Sequence, residues 1–195
     1  MVELDVRRWA QQILTPGAAA ILDVETSGLD GSILEIAVLD AATGEVLLDT
    51  LVFPGPHITI EPEAQAVHGI TAGDLIGAPG WPEVLPLLVE VIGGRVVLAY
   101  NAPFDRARTL HDCARTATDP GPLADEDRWQ CVMQRRCAAL DTDIRIPLGG
   151  GHRARGDVEA TRALLHLLAD GRPDHAGQAA LALRQERQQP GVPTR

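Results

Sequence analysis

The chain has 195 residues, 45% of them hydrophobic, enough for one well-packed core and too little for two full domains. Its formal net charge is −10 and its 17 basic residues are all arginines, which argues against a protein that coats nucleic acid through a basic face. That balance still leaves room for an enzyme whose acids hold cations, because bound metal reverses the local sign.

In chain order, apolar spacing over residues 3–14 predicts a docking helix, stopped by Thr15-Pro16-Gly17. The unbroken run Ala18-Ala19-Ala20-Ile21-Leu22 then predicts a central strand buried on both faces, ending in Asp23-Val24-Glu25 and a Gly turn. Residues 33–39 and 46–53 read as two further strands joined by a short turn, which makes three antiparallel strands. A Pro-rich loop over 54–62 and a short helix over 63–67 follow. Residues 81–92 have helical spacing, with Pro82 and Pro86 tolerable only near the first turn. Residues 95–100 predict another buried strand and 101–117 a helix, so a parallel crossover enters the sheet here. After a loop over 118–127, residues 129–140 read as a short strand or a helix with Arg135 and Arg136 exposed. Residues 141–151 form a Gly-rich loop, and the last good helix runs over 157–169. The expected organisation is residues 1–17 as docking helix and linker, 18–170 as the folded domain and 171–195 as a flexible tail. Cys113, Cys131 and Cys137 lack metal-site spacing and read as reduced thiols. With no apolar segment able to span a bilayer and an acidic start unlike a signal peptide, the cytoplasm is the expected location, with no membrane partner.

Asp23 and Glu25 leave their strand by the same face, so two carboxylates stand side by side at a rigid strand end. Adjacent anions repel, and a cation between them offsets the repulsion; all-oxygen ligands suit Mg²⁺ or Mn²⁺ better than Zn²⁺. The alternative is a strand that has simply ended, its acids in solvent. Asp105 follows the fourth strand at a similar place, where α/β sheets form binding crevices, although an acid there also stabilises a helix start. His152 falls on the loop and Asp157 in or just before the last helix, where a cap and a solvated histidine are the plain alternatives.

Taken in order, Asp23-Val24-Glu25, Asn101-Ala102-Pro103-Phe104-Asp105 and His152 with Asp157 resemble the DEDDh 3′–5′ exonucleases, the group of polymerase proofreading subunits and RNase T-like enzymes. Thr26-Ser27-Gly28-Leu29, Ile33-Leu34-Glu35-Ile36-Ala37 and Val67-His68-Gly69-Ile70-Thr71 extend the resemblance over about residues 18 to 170. Tyr100 stands where many members have His, and Cys131 where many have Asp; no polymerase-binding segment is recognisable after the domain.

The resemblance implies an α/β, RNase H-like mixed sheet flanked by helices, and an enzyme that hydrolyses phosphodiester bonds at single-stranded 3′ ends, releasing nucleoside 5′-monophosphates. It implies two divalent metal ions, Mg²⁺ or Mn²⁺, with Asp23, Glu25, Asp105 and Asp157 as ligands and His152 as the base that takes a proton from water. Thr26, Ser27, Leu29, His68, Asn101 and Phe104 would bind the terminal nucleotide. For His68 a buried structural role competes with that reading, and for Phe104 a core role does. Arg153 and Arg155 would meet phosphates or only water. DNA is favoured over RNA as substrate, and a DNA polymerase, a repair complex or a second copy of the chain stay open as partners. The competing reading is a catalytically silent nucleic-acid or polymerase-associated module of the same fold. Against it stands the intact acid set, since clustered anions destabilise a site that does no chemistry.

Overall fold

The computed structural model describes residues 2–188. Its strands are β1 (Ala19–Thr26), β2 (Ile33–Asp40), β3 (Val46–Leu51), β4 (Val96–Ala99) and β5 (Trp129–Cys131). Its helices are α1 (Val2–Ile13), α2 (Pro62–His68), α3 (Trp81–Ile92), α4 (Ala102–Thr116), α5 (Val132–Ala139), α6 (Ala154–Asp170) and α7 (His175–Gln188). The sheet order is β3-β2-β1-β4-β5. β1, β2 and β3 pair antiparallel, whereas β1–β4 and β4–β5 are parallel, which is the expected mixed α/β sheet.

β1 feeds two cores because its side chains alternate between the faces of the sheet. Ala20, Leu22 and Val24 pack with Trp81, Val84 and Leu88 of α3 and with Trp129. Ala19 and Ile21 pack on the other side with Trp9 and Ile13 of α1 and with Val158 and Leu165 of α6. Ile21 and Leu22 are fully buried, and each contributes about 1.5–3 kcal/mol, which keeps the strand end rigid. Asp23 and Glu25 continue the series of Ala19 and Ile21, so they emerge toward the layer that contains α6. The register shift between Glu25 and Thr26 marks where the strand leaves regular pairing, a usual place for a bulge beside a site.

Several expectations are corrected. Residues 129–140 hold both elements, a three-residue strand followed by α5. Arg136 is buried, not exposed, because Asp174 supplies a buried carboxylate. The expected flexible tail is helical over α7 up to Gln188, and Asp174 just before it is buried; residues 189–195 lie outside the described residues. α6 starts at Ala154, three residues earlier than expected. Pro86 lies deeper in α3 than the first turn, and its missing N–H is tolerated because Pro82 and Pro86 both lie on the exposed side. The three cysteines are free. Among the described residues no helix is long and apolar enough to cross a membrane.

Candidate active site

Three elements bring the acids together. β1 presents Asp23 and Glu25, and the N-terminal part of α6 supplies Asp157; one carboxylate oxygen of each lies within 4.8 Å of those of the other two. Because β1 and β4 run parallel, their carboxyl ends lie side by side, and α4, opening directly after β4 with Pro103 in its first turn, brings Asp105 to the same place. Asp105 is buried. The four acids line one cleft of about 270 Å³, together with Asn101, Phe104, Arg145 and His152. His152 is exposed and adopts a left-handed backbone, with φ of 55°, uncommon for a non-glycine residue.

Burial raises the proton affinity of every member of the cluster, and mutual repulsion adds to it. Glu25 is pushed up to about 7 by burial and then by Asp157 and Glu35, with Arg153 opposing. Asp23 is held well above the usual carboxylate range by burial and by Asp105, Glu25 and Asp157. Asp105 is raised by burial, against backbone N–H groups that favour its charged form. Asp157 is raised by burial, with His152 opposing.

Asp157 Oδ1 is buried and has no hydrogen-bond partner. An unpaired carboxylate oxygen in an all-oxygen cluster fits a hard divalent cation, which would satisfy that atom and cancel the repulsion. Gly150 leaves room for the same oxygen: a Cβ there would lie 1.7 Å from Asp157 Oδ1. Gly150→Ala is therefore expected to leave the melting temperature nearly unchanged, since a short side chain can turn away, while activity falls about a hundredfold through displacement of Asp157. Thermal melts beside initial rates check this; full activity would show that Asp157 has freedom to spare.

Glu35, the acid in the interior of β2, is placed opposite Glu25 in the β1–β2 register. It receives Arg153 Nε at 2.9 Å and Nη2 at 2.5 Å, and the Ala154 N–H at 3.0 Å. The pair fixes the start of α6, three residues before Asp157. Sequence reading placed Arg153 beside phosphates or water and assigned Glu35 no role. The missed signal was a charge inside a buried strand, which demands a partner. Arg155 pairs with Glu159 and Asp49 instead of reaching the cleft.

A second cleft of about 470 Å³ adjoins the first and shares Val24, Glu25 and Phe104 with it. Thr26, Leu29, Val67 and His68 line it, and Leu29 is 80% exposed at its edge. His68 is buried with both ring nitrogens engaged: Nδ1 accepts from the Ile70 N–H at 2.9 Å, so Nε2 carries the proton and faces the Thr26 carbonyl at 3.1 Å. It therefore lines the cleft while serving as a structural brace. Phe104 is partly buried against the core and forms the wall between the clefts. Ser27 does not line either cleft; it is buried, and its hydroxyl accepts the Ser32 N–H at 3.0 Å. Asn101 lines the acid cleft as the residue before α4. Arg145, which sequence reading passed over, lines the acid cleft from the Gly-rich loop and has no ion-pair partner among the described residues.

Comparison with known proteins adds to this geometry. The RNase T exonuclease family model matches residues 20–165. Over 149 residues the chain is 36% identical to exodeoxyribonuclease 10 of Escherichia coli strain K12, covering 74% of this chain and 66% of that one. Over 155 residues it is 28% identical to a PolC-type DNA polymerase III of Clostridium perfringens, covering 74% of this chain and 11% of that one. The chain thus spans less than two thirds of these relatives. Among solved structures, Exonuclease X in complex with 5′ overhanging duplex DNA aligns with a TM-score of 0.54 and 28% identity, over 83% of this chain and 97% of that one. The nuclease domain of 3′hExo, a DEDDh family member, bound to rAMP, aligns at 0.60 and 18% identity, over 80% and 94%.

Proposed function

The chain belongs to the DEDDh exonucleases of the RNase T family, hydrolytic nucleases that cut phosphodiester bonds, and from that premise we propose that it is a metal-dependent 3′–5′ exonuclease acting on single-stranded ends. The observation that carries the reading is the meeting of Asp23, Glu25 and Asp157 within 4.8 Å, beside a cleft with room for a terminal nucleoside. DNA is the favoured substrate, supported by the identity to exodeoxyribonuclease 10 and by the likeness to Exonuclease X, solved with duplex DNA.

In this reading Asp23, Glu25 and Asp157 would hold one divalent cation, Mg²⁺ or Mn²⁺, and Asp105, which lines the same cleft, would help to hold a second. Such ions, when bound, neutralise charge on the phosphate, stabilise the departing 3′ oxygen and make a nearby water more acidic. His152 lines the same cleft from an exposed loop position, which places its ring to accept the proton of the attacking water. Arg145, which lines the same cleft, pairs with a phosphate oxygen. Thr26 and Leu29 hold the terminal sugar and base against the wall formed by Phe104, with His68 bracing the floor. The apolar part of this cleft, Val24, Leu29, Val67 and Phe104 beside Glu61 and Glu63, reads a base by its face, which gives little sequence preference. The match to PolC-type polymerases makes a polymerase or repair complex the partner class to test.

Matched DNA and RNA oligonucleotides labelled at the 5′ end test the proposal directly. A ladder shortening from the 3′ end is expected with Mg²⁺ or Mn²⁺, faster on DNA than on RNA and lost on chelation. Internal fragments, or no shortening with either metal, would refute it.

A further inference from the structure

We propose that the buried Arg136–Asp174 pair, acting through Tyr100, is the anchor that positions the loop carrying Arg145 and His152. The inference rests on the nuclease reading for its catalytic consequence, but the anchoring itself is read from the hydrogen bonds of Arg136, Asp174 and Tyr100, of which only Tyr100 also lines the acid cleft. Arg136 of α5 is 3% exposed and Asp174, before α7, is 7% exposed. The fork is bidentate, with Nε to Oδ2 at 2.6 Å and Nη2 to Oδ1 at 3.0 Å. The remaining nitrogen, Nη1, donates to the Tyr100 hydroxyl at 3.0 Å and to the Pro147 carbonyl at 3.0 Å. Tyr100 in turn donates to the Ile146 carbonyl at 2.5 Å.

Two successive loop carbonyls are thus held by buried side chains from α5 and the end of β4. The loop between α5 and α6 has no regular structure of its own, yet residues on both sides of the held pair, Arg145 and Leu148, line the acid cleft, and His152 follows four residues after Leu148. Asp174 also accepts the Gly177 N–H at 2.8 Å, so the carboxylate that orients Arg136 is itself fixed by the first turn of α7. A Cβ at Gly177 would come within 2.3 Å of Asp174 Oδ2 and 2.7 Å of Leu140, which leaves that close approach to glycine. Asp174 and α7 lie beyond the matched family region of residues 20–165. A segment outside the exonuclease domain therefore reaches back to set its catalytic loop, using a tyrosine where many relatives carry histidine.

A buried ion pair alone is weak evidence of stabilisation; the third bond of the fork, spent on the loop backbone, points to positioning. Arg136, Asp174 and Tyr100 are accordingly positioning residues, and the test separates that role from plain stability. In Tyr100→Phe and Asp174→Asn, trypsin cleavage after Arg145, followed by mass spectrometry, is expected to accelerate about tenfold as Ile146 is released. In the same variants kcat on a 3′-ended oligonucleotide is expected to fall on the order of ten- to a hundredfold, with a smaller change in KM. A core truncation in α1, Ile13→Val, should lower the melting temperature without moving either quantity per folded molecule. The proposal is overturned if Tyr100→Phe, the variant least able to disturb folding, keeps the wild-type cleavage rate or the wild-type kcat. Should the wild-type protein degrade no oligonucleotide at all, the nuclease reading fails by itself and the trypsin arm alone decides the anchoring.

Discussion

Asp23→Asn or Asp157→Asn is expected to lower turnover by roughly a thousandfold or more while leaving the metal-free fold at least as stable. Loss of a cation ligand removes several kcal/mol of charge stabilisation in the transition state, and each tenfold in rate corresponds to about 1.4 kcal/mol. Stability moves the other way because the acids oppose one another. A carboxyl whose folded pKa is raised holds its proton more tightly when folded, so the native state binds more protons than the unfolded chain and stability falls as pH rises between the two pKa values. For Glu25 that window runs from its ordinary 4.5 to about 7, and Asp23, Asp105 and Asp157 are shifted in the same direction. In chelator, the wild-type melting temperature should therefore drop from about pH 5 to pH 8. The Asp23→Asn curve should be flatter, and added Mg²⁺ or Mn²⁺ should restore the wild-type protein most at the alkaline end. Rates within tenfold of wild type in either variant would remove that residue from the ligand set.

The second large effect is expected at His152. His152→Ala should cut the single-turnover rate by about two to four orders of magnitude, the range usual for loss of a general base. A protonated imidazole cannot accept a proton, so at saturating metal the wild-type rate should fall as the medium is made more acidic, and the variant should lose most of that dependence. Saturating metal matters because protons compete with cations for the raised carboxylates and would otherwise imitate the same limb. The left-handed backbone at His152 fits a held position, since a strained residue persists only where its surroundings hold it. On one side of His152 the loop is held at Ile146 and Pro147, and on the other Arg153 is clamped to Glu35. An unchanged pH profile in His152→Ala would assign the proton transfer elsewhere.

Features that local physics determines are legible in the sequence. The unbroken apolar run of β1, the helical spacing of α1 and α3, and the adjacent carboxylates at Asp23 and Glu25 each follow from periodicity and charge over a few residues. The convergence of Asp105 and Asp157 on that pair was legible only through the order of the motifs, because no local pattern says which strand ends meet. What stayed hidden depended on partners distant in the chain. Arg136 looks exposed beside Arg135 until Asp174, 38 residues away, supplies its counter-charge. Arg153 looks like a solvent-facing loop arginine until Glu35, 118 residues away, receives it. The polar composition after residue 171 suggested a loose tail, but Asp174 and Gly177 give α7 a fixed start against Arg136. Ser27 sat within a motif that implied substrate contact, yet its hydroxyl closes the turn to Ser32.

On the proposed mechanism, Asp23, Glu25, Asp105 and Asp157 hold divalent cations between them. Anomalous diffraction from crystals grown with Mn²⁺, at a concentration that supports turnover, tests it most directly. Expected is a peak among the carboxylates of Asp23, Glu25 and Asp157, with a second beside Asp23 and Asp105 once substrate or product is present. A map with no peak among these four side chains, from protein that is active under the same conditions, would contradict it.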